Sequence, residues 1–337
     1  MRQYVIASLA ASLTALGGPV FAQDNGFTWE GEVEFGVEII VDSDVPANEI
    51  TDVYANFELG AELEISSRVS AFAVIIGESV VDPADDRTFE DIGFYLEELG
   101  VSIALFDQAD LTLGKFNPSF GRASDDTAGF FADTLAGDYE LTEQLGASLS
   151  YTAINGGVLD FALFFADNTV LSRSLGTNRG RTRTADGGVG NTGQLDNVAL
   201  TWTQDFEGGS YQLGGRHLSA GTGGTEDETG LIASAERQFN DSFSAFAEVA
   251  SFQNFGGGAD NATFVTLNGV YSTEDWAFSG TLSHRDLGTA GNTDLVTLAV
   301  EYEFANEIVV GSGIAFVDED GSKDTRLGLN VIVPFGI

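Results

Sequence analysis

A two-residue alternation of apolar and polar side chains recurs along almost the whole chain, and it constrains the fold more than any other feature. Residues 53–66 read VYANFELGAELEIS, with apolar residues at every second position and three glutamates between them. Successive side chains of a β-strand leave opposite faces of a sheet, so this period predicts a strand with one apolar and one acidic face. Sixteen such segments predict an all-β protein.

The connections between the predicted strands alternate between short and long. The short ones are expected near residues 66–68, 107–109, 155–157, 207–209, 240–242, 273–275 and 305–307. The long ones are expected near residues 41–50, 77–88, 117–143, 166–194, 220–229, 254–261, 286–293 and 317–325. A transmembrane barrel follows this rule, with tight periplasmic turns and larger extracellular loops, whereas a soluble β-sandwich has no reason to follow it.

Bulky aromatic residues flank several of the predicted short turns. They are Phe206, Tyr211, Phe239, Phe243, Tyr271, Trp276 and Phe304. Such rings favour the boundary between water and lipid, which predicts an aromatic belt at one membrane face. Hydrocarbon offers no partner for an unpaired backbone amide, so a sheet in lipid must close on itself. We therefore predict a 16-stranded antiparallel transmembrane β-barrel, which is wide enough to enclose an aqueous channel.

One segment breaks the alternation. Residues 89–106 place apolar side chains in one phase through Leu96 and in the other phase from Leu99 onward. A β-bulge at Glu97 and Glu98 would produce this shift, because an extra residue re-aims the faces of a strand. A short helix near residues 96–99 is the alternative, and it would reduce the number of strands.

The first 22 residues have the layout of a secretory signal peptide. An arginine precedes an apolar stretch, and small residues precede an expected cleavage site after Ala22. The alternative is a membrane anchor, for which the apolar stretch is short compared with the roughly 18 residues of a spanning helix. The barrel domain then comprises residues 23–337. It contains no cysteine, so we expect no disulfide to stabilise it.

Three local features resemble the outer-membrane porins of Gram-negative bacteria, especially the 16-stranded alphaproteobacterial type. Residues 111–121, LTLGKFNPSFG, look like the end of a fifth strand that turns into a long third loop, and the last strand ends in alternating apolar residues. The resemblance implies a third loop folded into the barrel, a homotrimer, and recognition of the last strand by the barrel-assembly machinery. The chain departs from this family in ending Phe335-Gly336-Ile337 and in lacking inward arginines on its first six strands.

The predicted third loop, residues 117–143, is strongly acidic and has two cations near its entrance. The resemblance implies that it narrows the channel, so we predict a pore constriction formed by Lys115, Arg122, Asp125, Asp126, Asp133, Asp138, Glu140 and Glu143. The alternative is a solvated surface loop.

The polar faces of the strands predict the wall of the lumen. The residues placed there by the alternation are Glu30, Glu32, Glu34, Glu38, Glu58, Glu62, Glu64, Arg216, Arg285 and Arg326. With a formal charge of −38 on the whole chain, this wall would concentrate cations and repel anions.

Two further polar clusters have less specific interpretations. The basic run RGRTR at residues 179–183 could bind lipopolysaccharide phosphates, fold across the channel mouth, or lie exposed in a loop. Residues 317–324, VDEDGSKD, faintly resemble a calcium loop but lack its helical frame and its bidentate acid. We expect no metal site and no cofactor.

These features predict a porin of the Gram-negative outer membrane, in contact with lipid and lipopolysaccharide. It would pass small hydrophilic solutes by passive diffusion and prefer cations; we expect neither catalysis nor nucleic-acid binding. Three alternatives remain: a substrate-selective channel of the same fold, a non-conducting barrel adhesin, and a secreted soluble β-protein.

Overall fold

The computed structural model describes residues 26–223 and 226–336. The predicted signal peptide, residues 1–22, lies outside the described residues. Within them, the chain forms one sheet in which every long strand pairs antiparallel with the strand before and after it. The first strand also pairs with the last, which closes the sheet into a barrel.

Sixteen strands form the wall of the barrel, as predicted. Their bounds, in chain order, are β1 Phe27–Ser43, β2 Thr51–Ser66, β3 Val69–Ser79, β4 Ile92–Phe106, β5 Ala109–Phe116, β6 Gln144–Thr152, β7 Val158–Ala166, β8 Asn197–Phe206, β9 Gly209–Leu218, β10 Glu228–Asn240, β11 Phe243–Gln253, β12 Ala262–Thr273, β13 Trp276–Asp286, β14 Asn292–Glu303, β15 Val309–Glu319 and β16 Ser322–Gly336.

The two faces of the wall differ in the way that the alternation predicts. Large apolar side chains point outward and are exposed, and examples are Leu213, Leu267 and Leu298 with 48–58% of their surface accessible. Polar side chains occupy the alternate positions and point inward. Leu213 therefore has the inward Gln212 as its chain neighbour, and Gln212 is buried. The exterior of the barrel is apolar. The interior is largely polar, but inward positions of β11 and β12 also carry Phe246, Phe252 and Phe264, which belong to a buried apolar cluster.

Aromatic side chains gather at the rim that carries the short turns. The rings of Phe239 and Phe243 lie 5.4 Å apart across the turn between β10 and β11. Trp276 and Phe304 both contact Tyr302, with ring centroids 4.8 Å apart in each pair. These rings are exposed on the outer face, apart from Tyr302, which is half-buried. The predicted aromatic belt is therefore present at this rim.

The opposite rim carries the longer loops, with two corrections to the prediction. The connection expected near 286–293 is a five-residue loop at 287–291, and the one expected near 317–325 is a two-residue turn at Asp320 and Gly321. Both residues of this turn have positive φ, 51° and 86°. Asp-Gly is favoured in such hairpin turns because both central positions require that conformation. The sequence that resembles a calcium loop is therefore part of a hairpin.

The predicted β-bulge is present at Glu97. On β3, Val74 pairs with Glu98 and its neighbour Ile75 pairs with Leu96, which leaves Glu97 as an extra residue on β4. The alternative of a short helix at this place is wrong. The bulge keeps the apolar side chains of β4 on the outer face on both sides of the phase shift.

Two loops contain two-residue strands that pair with the ends of barrel strands that extend beyond their neighbours. Arg87–Thr88 pairs with β2 beyond the end of its contact with β3, and Leu175–Gly176 pairs with β4 beyond the end of β5. These additions cover edges whose backbone groups would otherwise be unpaired. In the described part of the chain, no helix has the length and apolar character needed to cross a membrane.

The contact between β4 and β5 depends on Gly114. This residue has φ 140°, and an added Cβ would lie 2.3 Å from the carbonyl oxygen of Leu99. We expect Gly114→Ala to lower the free energy of unfolding by about 2 kcal/mol, because the backbone of one strand must move. Urea unfolding in detergent micelles, followed by tryptophan fluorescence, measures this change. Gly137→Ala is the control, because the space around Gly137 is open; equal losses in both variants would contradict the prediction.

Candidate functional site

The candidate site is the interior of the barrel, where the loop of residues 117–143 lies against the wall. This loop contains a short helix, Ala123–Asp126, and a 3₁₀ turn, Gly137–Tyr139. Apart from contacts of its root with β4, its partners on the wall include inward-facing residues of β8 to β16, so it runs inside the barrel. The inward folding that the resemblance implies is seen in these contacts.

The carboxylate of Glu248 on β11 anchors the middle of the loop. One or the other of its oxygens accepts hydrogen bonds from the backbone N–H of Arg122 at 2.7 Å, the N–H of Ala123 at 3.1 Å and the hydroxyl of Tyr139 at 2.5 Å. Glu248 is 1% exposed. Burial and the adjacent Glu248 charge raise the pKa of Tyr139, so its hydroxyl remains a donor at all ordinary pH values. One side chain of the wall thereby holds both arms of the loop.

Two arginines reinforce this attachment. Arg122 donates to Ser210 at 2.7 Å, and it forms ion pairs with Asp126 and with Glu236 at 3.3 Å. Arg216 of β9 donates to the Tyr139 carbonyl. Its guanidinium is paired with a carboxylate and stacked between aromatic rings; these partners are Glu228 at 2.7 Å, Phe120 and Phe252. The loop therefore covers Arg216, which leaves this predicted wall residue 6% exposed.

The tip of the loop reaches the far side of the wall. Asn268 of β12 exchanges hydrogen bonds with both backbone groups of Ala128, at 3.4 and 3.0 Å. Phe130 then packs against Gly313 and Gly328, where an added Cβ would lie within 3 Å of its side chain. The loop thus spans the inner surface from β9 to β16 and covers both polar and apolar side chains there. Among the described residues, the inner surface of β1 to β3 makes no hydrogen bond to this loop.

A buried ion cluster holds the root of the loop. Lys115, at the end of β5, is fully buried and lies 2.6 Å from Glu143 and 3.0 Å from Asp167. Arg179 makes two hydrogen bonds to the same Glu143, at 2.7 and 2.5 Å, and its guanidinium lies 3.6 Å from the ring centre of Tyr95. Asp167 and Arg179, at the two ends of the segment 167–179, therefore hold the root of the loop of residues 117–143 through ion pairs. Of the basic run at 179–183, Arg179 acts as a structural anchor.

Asn117 connects the root of the loop to the bulge on β4. Its backbone N–H donates to Glu98 at 3.0 Å and its side-chain amide donates to Glu97 at 3.2 Å. Its side-chain oxygen accepts from the N–H of Glu143 at 2.8 Å. The bulge thus directs two successive carboxylates toward the interior, beside the loop.

The uncovered wall is lined by the acids that the alternation places there. Glu32 on β1 is directly opposite Glu58 on β2. Glu34 accepts hydrogen bonds from Tyr54 at 2.9 Å, Asn56 at 3.2 Å and Asn330 at 2.7 Å. All seven predicted wall carboxylates are half-buried or exposed; they are Glu30, Glu32, Glu34, Glu38, Glu58, Glu62 and Glu64.

The remaining wall arginines form ion pairs. Arg285 lies 2.6 Å from Asp138 of the loop, and Arg326 lies 3.4 Å from Glu38 and 3.8 Å from Asp324. The positive charges of this wall are therefore neutralised by neighbouring acids, whereas Glu32, Glu34 and Glu58 form no ion pair within the described residues.

Two carboxylates of the loop, those of Asp125 and Glu140, have their acidity changed by their surroundings. Burial raises the pKa of Asp125 to about 7, and the neighbouring charges of Glu140, Asp126, Glu248 and Glu97 add to the shift. Burial also raises the pKa of Glu140 to about 7, with a further contribution from Glu97 and Asp133. These two acids change charge near neutral pH.

Comparison with solved structures identifies the fold of this chain. No protein-family model and no curated protein matches this sequence. OprB of Pseudomonas putida superposes with a TM-score of 0.68 at 12% identity, covering 92% of this chain and 94% of that one. An anion-selective porin of Comamonas acidovorans gives 0.64 at 13% identity, covering 92% and 99%.

A variant of the Rh. blastica porin gives 0.61 at 16% identity, covering 92% and 100%. The chain therefore has the fold of 16-stranded porins. The resemblance inferred from the sequence is confirmed at the level of the fold.

Three groups at the site were not among the predicted site residues. They are the bulge carboxylates Glu97 and Glu98, the anchor Glu248, and Asp167, which lies beside Lys115. Glu248 stands at an inward position of the alternation on β11, so its face was predictable. Its contact with a loop more than 100 residues earlier in the chain was not.

The anchoring role of Glu248 leads to a measurable change in the loop. Glu248→Gln removes the charge that receives three donors, and hydrogen bonds to a charged group contribute on the order of 1.5–3 kcal/mol. We expect the Arg122 and Ala123 amides to exchange with deuterium about tenfold faster or more. Hydrogen-exchange mass spectrometry of the loop peptide measures this. Glu236→Gln, which removes a weaker contact to Arg122, is the control, and no difference between the two would contradict the anchor.

Proposed function

We propose that this protein is an outer-membrane porin that passes small hydrophilic solutes by passive diffusion and prefers cations. The observation that carries the proposal is a closed barrel with an apolar exterior, whose interior holds the loop of residues 117–143 against one half of a polar wall. An apolar outer surface suits lipid, and a polar interior of this width suits water and solutes. No bond is made or broken in this activity.

The membrane location is supported by the outer surface. Strands that expose leucine, valine and phenylalanine around the whole barrel require a cover of hydrocarbon. The aromatic rim at the short turns suits the boundary between lipid and water, and it is consistent with an orientation that has these turns on the periplasmic side. The homotrimer and the recognition of β16 by the assembly machinery are proposed from the resemblance to porins.

The proposed constriction is the space between the loop and the uncovered wall. The loop narrows the interior because it lies against β9 to β16, and we propose that Asp125 and Glu140 act on the ions in the remaining space. The opposite wall is acidic as well. Carboxylates on both sides attract cations and repel anions, and this field weakens as salt rises because the Debye length falls below about 10 Å above 0.1 M.

A substrate-selective channel of the same fold is the second candidate. Tyr54 lies on the inner face of the uncovered wall, where its hydroxyl donates to Glu34 at 2.9 Å. Aromatic groups beside carboxylates could favour a cationic organic solute. Saturation of the current at high solute concentration would favour this candidate over general diffusion.

The protein inserted into a planar bilayer is expected to form open channels. In a KCl gradient at pH 8, the reversal potential should lie on the side of the potassium equilibrium potential, because the narrow part of the lumen is negative. Protein-free detergent at the same dilution is the control. An absence of conductance would overturn the channel, and a reversal potential toward chloride would overturn the cation preference.

Neutralising the loop acids should weaken that preference. The double variant Asp125→Asn/Glu140→Gln removes two charges from the side of the loop that faces the wall, so its reversal potential at pH 8 should move toward zero. Glu207→Gln/Asp241→Asn removes the same charge from exposed short turns and serves as the matched control. Equal reversal potentials in the two double variants would place the loop outside the conducting path.

A further inference from the structure

The third strand departs from the two-faced pattern of the wall. Its inward positions include three large apolar side chains, Phe72, Val74 and Ile76, which we call the β3 stripe, whereas both outward neighbours of Phe72 are alanines. In the register with β2, Phe72 is directly opposite Glu62 and Ile76 is directly opposite Glu58. Partners in register share a face of the sheet, so the β3 stripe faces the lumen beside these acids.

Part of the β3 stripe remains accessible from the lumen. Phe72 and Ile76 are half-buried, whereas Val74 is 6% exposed. An added Cβ at Gly100 of β4 would lie 2.6 Å from Cζ of Phe72, so the ring leans over this glycine along the wall. The loop of residues 117–143 makes no hydrogen bond to β3 in the described part of the chain. An apolar group that covers the remaining surface would be bound through the hydrophobic effect.

The carboxylates beside the β3 stripe have no cation of their own. Neither Glu58 nor Glu62 forms an ion pair, and neither carboxylate accepts a hydrogen bond from the residues that the structure describes. The Cβ atoms of directly opposite residues in an antiparallel pair lie about 4.5–5.5 Å apart. A cation held by Glu58 therefore has Ile76 beside it, and a cation held by Glu62 has Phe72 beside it.

A recess of about 320 Å³ adjoins the end of the β3 stripe that lies nearer the short turn at residues 66–68. Glu62 lines it together with the hydroxyls of Ser70 and Ser102, which are directly opposite each other on β3 and β4. The charged residues of its lining are Glu62, Glu64, Asp110 and Arg68. Acids outnumber the one cation, and the hydroxyls accept hydrogen bonds, so the recess suits the ammonium group of a solute.

The other end of the β3 stripe is bounded by a bound arginine. Ile76 is directly opposite Tyr95 on β4, and the guanidinium of Arg179 lies 3.6 Å from the ring centre of Tyr95. Arg179 is paired with Glu143, but its position beyond Tyr95 still disfavours a second cation there. The region that suits a cation with an apolar group therefore extends from Ile76 toward the recess.

We propose that Phe72 and Ile76, together with Glu58 and Glu62, form a binding site for small organic cations that carry an apolar group, such as arylalkyl ammonium ions. The inference rests on the proposed function, because such solutes reach the β3 stripe through the lumen. The ammonium group lies beside a carboxylate and the apolar group covers the stripe, where the Phe72 ring also attracts a cation. The site distinguishes among cations by their apolar part rather than by their charge.

Block of the potassium current in planar bilayers tests the proposal. The probes are phenethylammonium, which has the charge and the ring, ethylammonium, which has the charge alone, and 2-phenylethanol, which has the ring alone. In symmetrical KCl at pH 8, we expect phenethylammonium to block at about tenfold lower concentration than ethylammonium, because covering roughly 50 Å² of apolar surface contributes about this factor. At that concentration 2-phenylethanol should leave the current unchanged. Equal potency of the two ammonium ions would overturn the site.

Two uncharged variants locate the effect. Phe72→Ser/Ile76→Thr should make the two ammonium ions equally potent, while the reversal potential in a KCl gradient stays as in the wild type because no charge changes. Ile332→Thr is the matched control, since it removes an inward apolar side chain opposite Glu34, whose carboxylate accepts three hydrogen bonds. This control should keep the tenfold difference. A tenfold difference that persists in the double variant would overturn the site and leave the porin proposal intact.

Binding in detergent micelles separates the site from the channel. In saturation-transfer NMR, the wild-type protein and Ile332→Thr should transfer magnetisation to phenethylammonium, and Phe72→Ser/Ile76→Thr should lose this transfer. Such binding without any conductance would overturn the proposed function and support the site, whereas conductance without it would overturn the site alone. Should the double variant not fold, Ile76→Thr carries the test with an expected loss of potency of about threefold, because less apolar surface is removed.

Discussion

The closure of one antiparallel sheet on itself underlies everything else in this structure. Pairing between β1 and β16 removes the two open edges that a sheet of this size would otherwise have. Since every strand then has two neighbours, the backbone groups of the wall are satisfied within it, and its outer surface can be entirely apolar. The same closure creates an interior too wide for wall side chains to fill, which leaves room for an inward loop and an open passage.

The interior is divided by how the loop of residues 117–143 is attached. Buried polar contacts to Glu248, Arg216 and Asn268 hold it against β9 to β16. The acids of β1 and β2 on the other side stay uncovered. Burying a carboxylate such as Glu248 is costly unless donors surround it, and three loop donors do so here. The position of the loop therefore determines which polar side chains of the wall are buried. The proposed passage lies beside the part of the wall that the loop does not contact.

Much of the fold could be predicted from the sequence because the side-chain period of a strand is two. The period gave the number of strands, the outward position of residues such as Leu267, and the inward position of Glu58 and Arg216. The phase shift at Glu97 predicted the bulge. The length of the last turn was mispredicted, because the acids and lysine around Asp320 look like a loop although the Asp-Gly pair fits a tight hairpin. Charge in a short stretch does not distinguish a polar strand end from a loop.

What the sequence determined by itself is the two-faced character of the wall, since alternation along a strand is local and survives any arrangement of the neighbours. What the tertiary structure decided is which polar groups meet. The loop root pairs Lys115 with Glu143 and Asp167, and the loop centre meets Glu248, through contacts between residues far apart in the chain. Such contacts depend on the curvature of the closed sheet and on the path of the loop inside it. No local pattern records either of these, so the distribution of free and neutralised charge in the interior became visible only in the folded barrel.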